Sequence, residues 1–463
     1  MSLHALAAGV ADLLAELDAS PGYVTGIYHA GEQITLGHGI ANVVSRSAMT
    51  ASTCWQAGSI TKVMTTTLLM RWVERGDIAL ADPVTKHLPE LRLADPSAAD
   101  LLTVEMLLNH TNGIDADSLF PGGEQGPNAV ASYLDAVAGC GLLFRPGTGM
   151  TYSNPGFAIA GRIIEKLAGA PFNTVLETEL YQPLGMLGAI TSAEAAMLRN
   201  TAVGTFADDS GGFRQTGMFM LPPAAAAAGT TPIVTTADLL AFARMHLADG
   251  DGYLSQESIR RMRTPTVDLH TPGIPAYGLG WMLSPVGSTT AAWHAGGSPG
   301  GVSQLVVFPE HDLAIAGYGN SSTASIGHDA VVASVVGELL GSAVTEHLEP
   351  AGPCPDLEQL TGTYEAADMR HEVRLGEHPD ELEITSAFLD LDPEHGRLIR
   401  AFTGSGTLPT DRVRHLRDRL FGPADCSLED VSGLFGRMEL VSFHGPERPS
   451  HLHRSSRRTN RRP

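Results

Sequence analysis

Lysine is nearly missing from this chain. Its 463 residues include three, Lys62, Lys86 and Lys166, against 27 arginines. Arginine carries a charge that no protein environment removes, whereas lysine can give up its proton. A composition that drifts toward arginine and alanine either leaves three lysines as remnants or keeps one for chemistry that arginine cannot do. Cysteine is almost as rare. Cys54, Cys140, Cys354 and Cys426 are scattered, with neither the spacing of a zinc site nor the density of a disulfide framework. Basic residues are outnumbered by acidic ones, for a net charge of −21. That excludes the broad basic face of a nucleic-acid-binding body. No apolar run reaches 18 residues, so no membrane span is predicted. The first arginine or lysine is Arg46, and Asp12, Glu16 and Asp18 interrupt the leading apolar stretch. This is not the pattern of a secretory signal, and the expected location is cytoplasmic.

What is plentiful is apolar. Hydrophobic residues make up 43% and charged residues 17%, enough to bury large cores in two or three domains. Residues 3–17 place Leu6, Val10, Leu13, Leu14 and Leu17 at helical spacing. The stretch YVTGIYHAGEQITLGHGIANV reads as a hairpin turning near Gly31. A region of roughly 60–260 is mostly helical. Residues 277–320 return to strand, with GVSQLVVF and LAIAGYGN joined by a tight turn at Pro309-Glu310-His311-Asp312, and a helix follows. Strands at both ends with helices between predict an α/β (α+β) fold: one sheet assembled from distant segments, flanked by helices, with a mostly helical subdomain. This unit covers 1–341. Residues 342–356 hold three prolines and no period, and read as a linker. Short alternating segments over 357–449 predict a small all-β domain. Residues 450–463, SHLHRSSRRTNRRP, carry five arginines and no acid, and read as a basic disordered tail.

Three short motifs carry chemistry. In Ala57-Gly58-Ser59-Ile60-Thr61-Lys62, Ser59 and Lys62 stand three apart at the start of a predicted helix, so they share a face. A serine is a poor nucleophile until something takes its proton, and an adjacent lysine can do so. The helix start adds N–H groups that favour developing negative charge. In Tyr152-Ser153-Asn154, a tyrosine lies where a Pro-Gly loop meets a helix. A phenol beside an ammonium is favoured as phenolate and can act as a base; equally, such tyrosines often only pack a loop, and asparagines often cap helices. In Trp293-His294-Ala295-Gly296-Gly297, glycines in a strand allow close approach of another backbone. A backbone N–H there supplies half of an oxyanion hole, and His294 either contacts substrate or sits at an exposed strand edge. His110, in LLNHTNGI, reads as the end of a helix terminated by Asn112-Gly113. Trp55 and Trp293 are candidates for an acyl pocket or for core, and Phe120–Glu124 for a loop on the cleft rim.

Together, in this order and with roughly 90 and 140 residues between them, the motifs resemble those of the serine β-lactamase and penicillin-recognising superfamily. The match is to its class C β-lactamase-like branch of esterases, D-amino-acid peptidases and acyltransferases, whose motifs are S-x-x-K, Y-x-N and H-x-G or K-[ST]-G. LLNHTNGI (107–114), RPGTGMTYSNPGF (145–157) and AAAGTTPIVTTADLLAFARM (226–245) are similar to further stretches of that branch. The resemblance covers about residues 5–340 and implies a sheet flanked by helices, with the site in the cleft beside the helical subdomain. It implies Ser59 as the acylated nucleophile, Lys62 as its proton partner, Tyr152 as general base and then acid, and Asn154 as the group positioning Lys62 and substrate. It places the backbone N–H groups of Ser59 and Gly297 in the oxyanion hole and His294 at the strand-motif position. The C-terminal domain resembles the lipocalin-like β-barrel appended to many members; oligomerisation, shielding of the cleft and binding of an apolar substrate part are the roles open to it.

The reaction implied is cleavage of an ester or amide bond, in a small molecule or peptide, through a Ser59 acyl-enzyme. No cofactor and no metal is required. The alternative is a biosynthetic acyltransferase or peptide cyclase that passes the acyl group to an amine. A β-lactamase or D,D-peptidase is disfavoured, because His294 stands where class C β-lactamases carry a lysine and offers no permanent cation to a carboxylate. A non-catalytic binding protein would let a motif decay, and all three are intact.

Overall fold

The computed structural model describes residues 2–116, 120–121, 124–208, 210–267, 276–344, 351–367, 369–389, 393–404, 408, 410–417, 420–424, 441–444, 451–454 and 457–461. Its first unit is organised by a seven-stranded antiparallel sheet. The N-terminal hairpin supplies β1 (Gly22–His29) and β2 (Glu32–Gly39), turning at Ala30-Gly31, where both residues have positive φ. Short strands follow as β3 (Trp55–Gln56), β4 (Thr205–Ala207), β5 (Phe213–Gln215) and β6 (Ile233–Val234). The sheet then resumes with β7 (Ala276–Tyr277), β8 (Met282–Val286), β9 (Thr289–Ser298), β10 (Gly301–Phe308) and β11 (Leu313–Gly319). Its order is β2-β1-β11-β10-β9-β8-β7, so the first hairpin pairs with the last strand, Tyr23 opposite Gly319. Sheets built from both ends of a segment enclose what lies between, and here that is the helical subdomain.

Twelve helices are described. They are α1 (Leu3–Glu16), α2 (Thr61–Arg75), α3 (Val84–His87), α4 (Val104–Leu108), α5 (Ala129–Val137), α6 (Asn154–Ala168), α7 (Phe172–Leu176), α8 (Ala193–Met197), α9 (Thr236–Leu247), α10 (Gln256–Met262), α11 (Ser325–Leu340) and α12 (Pro393–Thr403). Two apolar cores divide the work. α1 and α11 cover one face of the sheet through Leu6, Val10, Leu14, Val331, Val332 and Val335. The larger core lies on the other side and runs through α2, α6 and α9. α2 is buried nearly all round, from Thr61 to Met70, and ends where Gly76 takes the left-handed conformation. A helix clad on every side by protein belongs to the centre of its unit, and α2 carries Lys62 there.

The C-terminal part closes on itself. Strands β12 (Gly362–Glu365), β13 (Met369–Leu375), β14 (Glu381–Phe388), β15 (Thr410–Arg417), β16 (Leu420–Pro423), β17 (Val441–His444), β18 (His451–Arg454) and β19 (Arg457–Arg461) form a closed barrel. Two sequence expectations change here. The basic end, read as a disordered tail, forms β18 and β19, and β19 pairs back onto β12 with Tyr364 opposite Arg461. Backbone pairing needs no apolar side chains, so closing an open edge outweighs a polar composition. The domain is also not all-β, since α12 sits between β14 and β15. The linker reading for 342–356 falls partly on residues 345–350, outside the described residues. The barrel rests on the first unit: Ala367 N–H donates to both oxygens of Asp115 (2.9 and 3.1 Å), and Arg214 and Thr216 donate to the carbonyls of Gly404 and Ala401 at the end of α12 (3.2 and 3.4 Å).

Candidate active site

Ser59 lies in a short 3-10 turn, Gly58–Ile60, that runs directly into α2. The turn opens on Gly58 at φ +54, and a Cβ there would lie 2.6 Å from the Gly297 carbonyl oxygen. Glycine is thus required twice over, by the left-handed backbone and by the approach of β9. The i, i+3 expectation holds: the Lys62 ammonium donates to Ser59 Oγ at 2.9 Å. It also donates to the Ala228 carbonyl at 2.8 Å, at the end of the alanine-rich segment Pro223–Ala228. Lys62 has no exposed surface. Its ammonium stands 4.7 Å from the centre of the Tyr152 ring and 5.7 Å from that of Phe157, in contacts that suit a cation over aromatic faces.

Tyr152 therefore meets Lys62 as the resemblance implies, although 90 residues separate them. Ser153, not Asn154, caps α6, its Oγ accepting the Gly156 N–H at 3.1 Å, and Asn154 is the first helical residue. Ser153 Oγ in turn donates to Asn112 Oδ1 at 3.1 Å. Sequence reasoning undervalued His110. α4 does not run to the Asn112-Gly113 pair; it ends at Leu108, and His110 itself adopts φ +65. Its ring is buried, stacked on Tyr152 at 4.5 Å, and its Nδ1 accepts the Ser153 N–H at 2.9 Å. Burial first, then the nearby charges of Lys62 and His294, hold its pKa well below the usual histidine value. The signal for it was present in the asparagines at 109 and 112, which make local turns, but not in its own position.

His294 is an interior residue of β9, opposite Leu305 of β10, and is 1% exposed. The exposed-edge reading is overturned by its place between two paired strands. Its Nδ1 lies 2.5 Å from the Ala295 carbonyl oxygen, a contact that fixes the proton on that nitrogen. Nε2 is buried with no hydrogen-bond partner among the described residues. Burial and the Lys62 charge lower its pKa to about 3, partly offset by the Ala295 contact, so the ring is neutral. Its centre is 6.2 Å from that of Tyr152. Beyond it, Gly296 and Gly297 press against Ala57 and Gly58, which sets the Ser59 and Gly297 peptide groups side by side. Ser303 Oγ staples this contact, reaching the carbonyls of Ala57 (2.8 Å) and Gly296 (3.2 Å). Ser59, Lys62, Tyr152 and His294 thus lie together, the Gly297 backbone packs on the turn that carries Ser59, and Asn154 opens α6 two residues beyond Tyr152.

A family model described as Beta-lactamase matches residues 10–333. The chain belongs to the Beta-lactamase family. As a family member it is 32% identical over 355 residues to penicillin-binding protein 4 of Amycolatopsis lactamdurans, covering 74% of this chain and 93% of that one. Among solved structures it is similar to SurE, with a TM-score of 0.75 and 24% identity over 100% of both chains. It is also similar to a D-amino acid amidase from Ochrobactrum anthropi SV3 complexed with D-phenylalanine, with a TM-score of 0.61 and 23% identity over 72% of this chain and 99% of that one. At those identities the two structures establish the fold. The family is one of serine hydrolases with the β-lactamase fold, and that is the level at which this family member's chemistry is fixed.

The remaining candidates of this family member sort into structure. Trp55 stacks on Tyr318 and donates to Thr236, and Trp293 donates to Ser284; both are core residues. In the Phe120–Glu124 rim loop, Gly122 and Gly123 lie outside the described residues. Cys54 and Cys354 are free thiols, the Cys140 thiol faces the Ala136 carbonyl at 3.7 Å, and Cys426 lies outside the described residues. Among the described residues, no histidine, cysteine, aspartate or glutamate group is arranged to hold a metal, and no helix is long and apolar enough to cross a membrane. A cavity of ≈ 860 Å³ opens where α12 meets the first unit, near Asn173, Leu221, Arg397 and Leu398, and none of the five candidate side chains lines it.

Proposed function

We propose that this protein cleaves ester or amide bonds through an acyl-enzyme on Ser59. The observation that carries the reading is the fully buried Lys62 ammonium, 2.9 Å from Ser59 Oγ and anchored by the Ala228 carbonyl. Ser59 attacks the substrate carbonyl while Lys62 relays its proton, giving one from its ammonium to the Tyr152 phenolate as it takes the one leaving Ser59 Oγ. The Ser59 and Gly297 N–H groups carry the oxyanion, and Tyr152 returns the proton to the leaving group. In deacylation, water gives a proton to the Tyr152 phenolate as it attacks the acyl carbonyl, and a proton returns through Lys62 to Ser59 Oγ as the acyl–Ser59 bond breaks. The test is intact mass after treatment with a fluorophosphonate and, separately, with a penicillin. Wild type gains an adduct on Ser59 and Ser59→Ala gains none; a wild type that acquires no adduct from any ester, amide or lactam removes the nucleophile.

A second reading, acyl transfer to an amine, is favoured by one observation. His294 is neutral, with an Nε2 in the site that has no hydrogen-bond partner among the described residues. A neutral acceptor suits the N–H of an incoming amine and offers nothing to a carboxylate, which also counts against a β-lactam substrate. The likeness to SurE, whose structure with D-Leu matches over 99% of both chains, extends through the C-terminal barrel; the D-amino acid amidase supports D-configured substrates. Product analysis with increasing amine separates the two. Transfer requires amide product to displace acid product as the amine rises, and unchanged hydrolysis leaves the hydrolase.

A further inference from the structure

His110 is absent from the residues that take part in the proposed reaction, yet it holds Tyr152 closely. The N–H groups of the residues on both sides of Tyr152 end on this one residue. Thr151 N–H donates to the His110 carbonyl at 3.0 Å, and Ser153 N–H donates to His110 Nδ1 at 2.9 Å. Between these tethers the imidazole lies flat on the phenol ring, 4.5 Å between centres and 25° from parallel. The imidazole is itself fixed, with Tyr277 edge-on at 5.4 Å and Phe157 tilted at 5.3 Å.

The backbone is strained to make this arrangement. His110 takes φ +65, a region that non-glycine residues visit rarely and at a cost. A helix end needs no histidine there; glycine or asparagine would end it more easily. The side chain must supply the reason. A histidine with Nδ1 accepting from Ser153 carries its proton on Nε2 and must be neutral, since a protonated ring has no lone pair for that N–H. Burial and the neighbouring Lys62 charge favour that neutral form. A neutral ring can also lie beside Tyr152 without competing with Lys62 for it.

We infer that His110 is the positioning residue for Tyr152, clamping the backbone on either side of it and the face of its ring, so that the phenol keeps its aim at Ser59 and Lys62. The inference rests on the reading of Tyr152 as the base. It predicts an effect on the chemical step and not on binding, because His110 acts through Tyr152 alone.

The deciding experiment is a double-mutant cycle between His110→Asn and Tyr152→Phe. Asparagine keeps an acceptor oxygen where Nδ1 stands and accepts a positive φ, so it removes mainly the stacked ring. In the otherwise unchanged protein, His110→Asn is expected to lower both kcat on a p-nitrophenyl ester and the rate of Ser59 labelling by a fluorophosphonate roughly 10- to 100-fold, with KM within about threefold and the unfolding midpoint within about 2 °C. In the Tyr152→Phe protein, the same change is expected to leave the rate of Ser59 labelling by a fluorophosphonate unaltered, since there is no phenol left to aim. If His110→Asn folds too poorly to assay, His110→Phe, which keeps the ring and drops the acceptor, is read the same way. An equal loss in both backgrounds, or a normal kcat in His110→Asn, overturns the inference while leaving the base in place. Tyr152→Phe with normal labelling overturns the base itself, and the inference with it.

Discussion

The three lysines separate cleanly once their surroundings are known. Lys86 reaches Asp82 at 2.8 Å and Lys166 reaches Glu90 at 3.0 Å, with 58% and 45% of their side chains exposed. Exposed pairs of this kind contribute about 0–1 kcal/mol, and an arginine makes them as well as a lysine does. Lys62 has neither exposure nor room. A guanidinium in its slot would have to fit beneath Tyr152 and Phe157, and could not release a proton. Lys62→Arg should therefore lower turnover of a chromogenic ester about 10³-fold or more, while Lys86→Arg and Lys166→Arg stay close to wild type. Near-normal turnover in Lys62→Arg would end the proposed mechanism. The Ser59–Lys62 pair was legible because both residues lie within one turn, so spacing alone fixes their contact. The Tyr152 contact was legible only through the family resemblance. His110 was not legible, because its role depends on a hydrogen bond to a residue 43 positions away and on a left-handed backbone that Gly113 seemed better suited to adopt.

At the level of elements, the site is made by pressing the end of β9 onto the turn before α2. Gly296 is the point of contact: a Cβ there would overlap the Ala57 carbonyl oxygen and Ser303 Oγ. Backbone on one side and a hydrogen-bonded side chain on the other leave no easy relief. Gly296→Ala should push β9 away from the oxyanion position, cutting kcat about 100-fold and lowering the unfolding midpoint measured by scanning calorimetry. Gly337 in α11 is the contrasting case, with open space where its Cβ would point. Gly337→Ala should leave kcat alone and add about 0.4–1 kcal/mol of stability. A harmless Gly296→Ala would mean that the strand and the turn are not rigidly coupled. Elements were legible where period and turn chemistry agree, as in the β10–β11 hairpin around Pro309–Asp312. They were not legible where pairing partners lie far off in the chain: β18 and β19 have no apolar alternation to announce them, and are strands because β12 needs a neighbour.

The whole molecule adds a dependence on pH that no single element carries. Four histidines of the first unit are buried and held neutral: His110, His246, His294 and His328. Burial is the main cause in each, lowering His246 and His294 to about 3, His328 to about 4, and His110 further than the usual range. Unfolded, all four return to a pKa near 6.5. Between about pH 6.5 and 4 the unfolded chain therefore binds more protons than the folded one, and stability must fall as the pH falls. Each such proton is worth about 1.4 kcal/mol per pH unit across that window. The depressed carboxylates, Asp82 foremost through Lys86, the Ala79 N–H and His87, act in the same direction but only below about pH 4, so the two effects separate. All four tryptophans, Trp55, Trp72, Trp281 and Trp293, lie in this same unit, and their fluorescence reports its unfolding apart from the barrel's. Urea titrations from pH 7 to 4.5 should show the midpoint falling steadily, and His246→Leu, whose ring packs between Phe242 and Trp281 away from Ser59, should flatten the slope by about one proton. A midpoint that does not move over this window would mean that these imidazoles are protonated in the folded protein. That would in turn remove the neutral acceptor at His294 on which the amine-transfer reading depends.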